Sequence, residues 1–298
     1  MFEPLFLNQG DCIGLTATAR FLPENELERA IKYIENAGFQ VEISAHCTIA
    51  FNQFGGNDKE RAHDFTAMLE NERVKAIFGV RGGYGTVRML DLVDWEVFTK
   101  NPKWICGYSD LSILHGRIQN LGFQSLHCSM PVSFHALDLK AMEQTWDCLL
   151  GKLPTYKGKK HSLQVNGKAE GVLLGGNLSV LYSALGSNAF PSMTNAILFL
   201  EDVDEYLYHI DRMLFGLKRS GALNGIKGLL IGGFSAMRDH EIGFGLNVEE
   251  IIHSLFGDWQ IPIVFGFSAG HIAANYPLVL GREVDLESGD NGWELRFC

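Results

Sequence analysis

Three short segments of this sequence set a reactive side chain just after an apolar run, where α/β sheets carry their functional loops. The first, Gly107-Tyr108-Ser109-Asp110-Leu111, follows Trp104–Cys106. It opens like the G-x-S-x-G nucleophile elbow, a strained strand-to-helix turn that lifts a serine hydroxyl above a sheet, but its fifth position is Leu111. Read alone, a Ser before Asp at a helix start is better explained as an N-cap. The second segment, Ile197-Leu198-Phe199-Leu200-Glu201-Asp202, runs an apolar stretch into two acids, with Asp204, Glu205 and Asp211 close behind. It suits an orienting carboxylate, a charged strand end or a divalent-metal site, although it lacks the pattern of a calcium loop. The third, Val264-Phe265-Gly266-Phe267-Ser268-Ala269-Gly270-His271, ends on a histidine held in a short loop. A lone histidine there is more often structural, and His115, His127 and His135 are rival bases nearer to Ser109.

Together the three give the chain order Ser109, Glu201, His271, the nucleophile–acid–base order of α/β-hydrolases. The chemistry needs each type. A serine hydroxyl is barely nucleophilic near neutral pH, so an imidazole must take its proton, and a carboxylate must fix the imidazole tautomer. The turn Arg81-Gly82-Gly83-Tyr84-Gly85 could supply backbone N–H groups to an oxyanion, together with the N–H of Asp110. It is neither a Walker loop nor a G-x-G-x-x-G fingerprint, and a plain strand–helix turn is its bland reading.

These groups need elements to hold them. Cys12–Thr16, Phe39–Ser44, Ala76–Val80 and Trp104–Cys106 read as strands, separated by helical stretches from Pro23 to about Ala37 and over about Asp58–Asn71. That alternation predicts a parallel sheet with helices on both faces. Gly151-Lys152-Leu153-Pro154 and Lys157-Gly158-Lys159-Lys160 read as a solvated linker. Beyond it come the strand-like runs Ala169–Leu174, Ile197–Leu200, Gly228–Ile231 and Ile263–Phe267, with helices expected at Leu178–Leu185, Tyr208–Ser220 and Val248–Phe256. The expected division is therefore a nucleophile domain over 1–150, a linker over 151–168 and a domain carrying acid and base over 169–298.

Composition narrows the function classes. The chain has 298 residues, 46% of them hydrophobic, and a net charge of −10, so phosphate backbones are repelled and nucleic acid is not an expected partner. No apolar run is long enough to span a bilayer, and the N-terminus has no basic region of a signal peptide. The six scattered cysteines form no CxxC, which suits buried thiols in a reducing cytoplasm better than redox or zinc chemistry.

The segments in order, Arg81–Gly85, Gly107–Asp110, Gly175-Gly176-Asn177-Leu178, Leu200-Glu201-Asp202 and Gly270-His271, resemble the LD-carboxypeptidase family of serine peptidases, which includes the microcin-C-immunity-type peptidases. Its pattern runs RGGYG, G-[FY]-S-D, GGNL, L-E-[DE] and G-H. Each motif is unspecific; five in order across residues 12–285 are not. The resemblance implies Ser109 as nucleophile, Glu201 as acid, His271 as base, and Gly83 and Asp110 N–H groups as the oxyanion hole. It implies a flavodoxin-like N-terminal domain, a smaller β-rich C-terminal domain, a cytoplasmic homodimer, and no cofactor or metal. The expected substrate is a murein tetrapeptide that loses its terminal D-Ala in cell-wall recycling. Arg81 and Tyr84 are substrate-binding candidates, and Arg88 is a second possible partner for the D-Ala carboxylate. A detoxifying peptidase acting on peptidyl- or aminoacyl-nucleotide conjugates is the alternative, and a non-catalytic ligand-binding protein is a minor one. One departure stands two residues before His271, where Ser268-Ala269 replaces an expected proline.

Overall fold

The computed structural model describes residues 1–136 and 138–298. Five parallel strands lie in the spatial order Gln40–Ile43, Cys12–Thr16, Val74–Gly79, Trp104–Gly107, Ser125–His127. In chain order that is 2-1-3-4-5, the flavodoxin-like arrangement. Cys12–Thr16 and Trp104–Gly107 are buried at every residue, as strands covered on both faces must be, and so they read as unbroken apolar runs. The helix Glu24–Asn36 buries Leu27, Ala30 and Ile34 along one stripe. The helix Asp58–Glu70 begins at a capping box in which Asn57 and Glu60 satisfy each other's backbone N–H.

A second sheet has seven strands. Ile263–Val264, Gly228–Ser235, Ala196–Val203 and Gly167–Asn177 are parallel, and Glu283–Gly289, Gly292–Phe297 and Thr155–Gly158 complete it antiparallel. Helices Leu178–Ala184, Leu207–Arg219 and Val248–Phe256 cover one face through an apolar core that includes Leu198, Leu214 and Ile251. The architecture is mixed α/β, a parallel sheet beside a strand-rich one. A continuous core joins the sheets, since Leu15, Phe78 and Leu126 of the first share it with Phe199, Val264 and Leu286 of the second.

The chain departs from the expected division in two places. Thr155–Gly158, inside the stretch expected to be a solvated linker, is an edge strand paired with Gly292–Phe297. Its alternate residue Tyr156 is buried and donates its hydroxyl to Pro277 O at 2.7 Å, while Lys157 pairs with Glu294 on the outside. The second departure is Leu278–Leu280, which leaves the later half and pairs antiparallel with Ser125–His127 at the edge of the first sheet. Five cysteines are buried and Cys298 is exposed. No helix among the described residues is long and apolar enough to cross a membrane.

Candidate active site

Ser109 sits on a sharp turn between the strand Trp104–Gly107 and the helix Ser112–Asn120, with φ +62°. A non-glycine residue there is strained, and such strain concentrates where a side chain must be presented. Gly107, at φ +149°, opens the turn, and a Cβ on it would lie 2.5 Å from Leu111 Cδ2. Leu111 thus fills the space under the elbow. The Ser109 hydroxyl makes no helix-cap hydrogen bond. Instead the buried Asp110 carboxylate accepts the Thr86 N–H at 2.8 Å, which ties the elbow to the helix start just after the glycine turn. Burial pushes the Asp110 carboxyl above its usual range.

Ser109 Oγ lies 3.0 Å from His271 Nε2, and His271 Nδ1 lies 2.8 Å from Glu201 Oε2. The three residues expected to cooperate are brought into one line of hydrogen bonds. Glu201 is fully buried on the strand Ala196–Val203, at the point where its register with Gly228–Ser235 shifts. Such a bulge re-aims a side chain. The His271 loop is clamped without the proline: Gly233 N–H donates to Ala269 O at 2.8 Å, Gly270 N–H to Asn275 Oδ1 at 2.8 Å, and Ser235 Oγ to His271 O at 3.0 Å. Tyr108 packs its ring 4.8 Å from that of His271. Burial, and then the charge of Glu201, push its phenol up to about 12, so it stays a neutral wall.

The rival histidines are placed elsewhere. His115 is buried, with Nε2 2.9 Å from Gly107 O and Nδ1 2.8 Å from Ser125 Oγ. Burial drives it down to about 4, so it is neutral and donates Nε2–H to the carbonyl beneath the elbow. His127 is buried among Tyr108, His115 and Phe199, and burial holds it well below the usual imidazole range. A depressed histidine favours the fold above the unfolded value of about 6.5, and that contribution is lost as pH falls below it. His127→Leu should therefore gain stability relative to the wild type as pH drops from 7 to 5, read as urea midpoints. Equal midpoint differences at both pH values would refute the neutral assignment.

Three acids at and after the second segment have partners. Asp202 accepts from Asn177 Nδ2, Ser179 N–H and its own neighbour's Val203 N–H at 2.8–2.9 Å, anchoring the start of the helix Leu178–Ala184. Burial still raises it to about 6. Asp204 pairs with Arg238 and Glu205 with His209. No group of three or more His, Cys, Asp or Glu among the described residues is arranged to hold a metal. The Gly175–Asn177 segment instead bears on the elbow: Asn177 N–H donates to Ser112 Oγ at 3.0 Å, and a Cβ on Gly176 would come within 2.5 Å of that oxygen.

A cavity of about 150 Å³ opens beside Ser109 and His271, walled by Gly82, Gly83, Met130 and Arg81. A Cβ on Gly82 would sit 3.3 Å from Ser109 Oγ, a tight contact that the hydroxyl would have to relieve by a few tenths of an ångström. Gly83 has φ +106°, and its N–H has no hydrogen-bond partner among the described residues. Tyr84 is half exposed against Phe54 at the edge of the same turn. Arg88 is engaged away from Ser109, its guanidinium donating to both Asp58 oxygens at 2.7–3.1 Å. Arg20 lines the cavity as well, and no motif in the sequence pointed to it. Its position in the loop just after the first strand was the available signal.

A serine hydroxyl, imidazole and carboxylate in series at the carboxyl ends of α/β strands define a hydrolase of the serine type. Residues 13–128 match the LD-carboxypeptidase N-terminal domain and residues 170–286 the LD-carboxypeptidase C-terminal domain. A probable murein peptide carboxypeptidase of Bacillus subtilis is 32% identical over 97% of this chain and 92% of its own. The muramoyltetrapeptide carboxypeptidase of Oxalobacter formigenes superposes with a TM-score of 0.89 at 27% identity, over 96% of this chain and 98% of that one. The microcin C7 self-immunity protein MccF of Escherichia coli is 23% identical over 93% of this chain and 91% of its own. The chain belongs to the LD-carboxypeptidase family of serine peptidases.

Proposed function

We propose that this protein removes the terminal D-Ala of a murein tetrapeptide by cleaving its L,D amide bond. The line Ser109–His271–Glu201, at 3.0 and 2.8 Å, carries the proposal. His271 Nε2 takes the Ser109 proton as Oγ attacks the carbonyl of the L-residue, and Glu201 holds Nδ1–H so that Nε2 is the free base. The N–H groups of Gly83 and Asp110 face the developing oxyanion. Collapse passes the proton from His271 to the leaving amine, releases D-Ala and leaves an acyl ester on Ser109. Water, deprotonated by His271, then hydrolyses the ester. The relay uses no cofactor and no metal. Residues 1–150, with the edge strand Leu278–Leu280, act as the nucleophile part, and 169–298, with the edge strand Thr155–Gly158, as the part delivering acid and base, the site lying in the cleft between them. The setting is a cytoplasmic homodimer recycling cell-wall peptides.

The test is to incubate the protein with murein tetrapeptide and assay free D-Ala. Wild type should release it, and His271→Ala should lose on the order of 10³-fold or more of kcat. Retained activity in that variant would move the base elsewhere. Hydrolysis of a peptidyl-nucleotide conjugate with no release from tetrapeptide would replace the murein reading by the detoxifying one. No hydrolysis of either would favour a binding protein.

A further inference from the structure

A carboxypeptidase must recognise the end of a chain as well as cut it, and two cations at the cavity are placed to do so. We propose that Arg20, seconded by Arg81, forms the subsite that takes the terminal carboxylate of the leaving D-amino acid; this rests on the carboxypeptidase reading above. Two other arginines near the glycine turn are already committed. Arg61 is fully buried on Asp58, Thr18 O, Gly56 O and Gly85 O, and Arg88 is held by Asp58. Arg20 and Arg81 differ. Neither makes an ion pair or side-chain hydrogen bond among the described residues, yet both line the cavity that contains Ser109 Oγ and His271. No acid lines it. In a chain of net charge −10, two unpaired cations at one small cavity are a local field of opposite sign, which draws an anion.

The geometry sets where that anion lies. Arg20 follows the strand Cys12–Thr16, and the glycine turn follows its neighbour Val74–Gly79, so the two loops face each other at the strand-order reversal of the first sheet. Arg20 lies directly across Gly83: a Cβ there would be 2.7 Å from its Nε and 2.8 Å from its Cδ. With the scissile oxygen at the Gly83 N–H, a guanidinium this close to Gly83 is within reach of the carboxylate of the next residue, since consecutive Cα atoms are only ~3.8 Å apart. Met130 and Val132 give the cavity an apolar wall suited to a methyl side chain. A guanidinium can hold a carboxylate through two parallel N–H donors, which an amide or a continuing chain cannot match. Arg20 would thus restrict cleavage to the last residue.

The experiment measures binding of tetrapeptide and of its C-terminal amide to Ser109→Ala, in which no turnover intervenes, and to the same chain carrying Arg20→Gln or Arg20→Lys. The expected result is a preference for the free acid of roughly 10- to 100-fold, as for a hydrogen-bonded charge. Arg20→Gln should remove it by weakening the acid alone, and Arg20→Lys should restore part of it. Kinetics on the Ser109 enzyme should show the same loss in KM, with kcat within a few-fold. Equal affinity for acid and amide, or Arg20→Gln weakening both alike, overturns the subsite. If wild type still releases D-Ala under that outcome, the carboxypeptidase reading stands without it. If neither ligand binds and no D-Ala is released, both fail together.

Discussion

Ser109→Ala is expected to abolish D-Ala release, by on the order of 10⁴-fold or more, while the protein stays folded. The hydroxyl meets His271 Nε2 at 3.0 Å, and on the proposed mechanism its removal leaves the imidazole only water to activate. Alanine bears the same left-handed strain at φ +62° as serine, so the thermal midpoint should barely move. Ser109→Gly separates function from stability further. It should be as inactive as Ser109→Ala but more stable, by about 1 kcal/mol, because glycine carries no penalty in that region. Full activity in Ser109→Ala would sink the nucleophile assignment.

Gly270→Ala is expected to damage both activity and fold, although Gly270 itself carries no reactive group. Gly270 has φ +113°, and a Cβ on it would fall 2.7 Å from Glu201 Oε2 and 2.8 Å from Glu201 Cβ. Neither side can give easily. Glu201 is fully buried within its strand, and the Gly270 N–H is fixed by Asn275, itself buried and bonded to Ser129. The loop must therefore shift and carry His271 with it. A misplacement of about 1 Å costs roughly 10²-fold in rate, and a strained backbone of this kind roughly 1–3 kcal/mol. Both are read in one preparation, by D-Ala release and a urea midpoint. Gly289→Ala, which meets nothing within 4 Å, is the control and should change neither.

The parts of this molecule that are unbroken apolar runs were legible in the sequence. Cys12–Thr16 and Trp104–Gly107 are such runs, and Val248–Phe256 is a helix at the expected residues. Strands with one solvated face were harder to see. Glu283–Gly289 alternates buried Val284 and Leu286 with outward acids, and its partner Gly292–Phe297 does likewise. Their signal is period-two alternation around the Asp290-Asn291 turn, which a search for apolar runs passes over. Thr155–Gly158 is hidden further, because a four-residue edge strand that carries Lys157 and runs into Lys159-Lys160 looks like a linker. At the site, Ser109, Glu201 and His271 were picked out by their order along the chain and by the set of motifs around them, each being unspecific alone. Arg20 also follows a strand, but what sets it apart is the lack of a side-chain partner among the described residues, and partners are settled only by folding.

The strand Leu278–Leu280 carries one more consequence. His271 lies on the strap that runs from the last parallel strand of the second sheet to this edge strand of the first. Its two ends are thus sewn into different sheets, while Ser109 is made 162 residues earlier. During synthesis the elbow can form long before the imidazole exists, and the imidazole reaches it only when the strap is stitched down beside Ser125–His127. On the proposed mechanism, a chain in which the strap is not yet docked would carry an inert hydroxyl, so hydrolytic power depends on both sheets being joined.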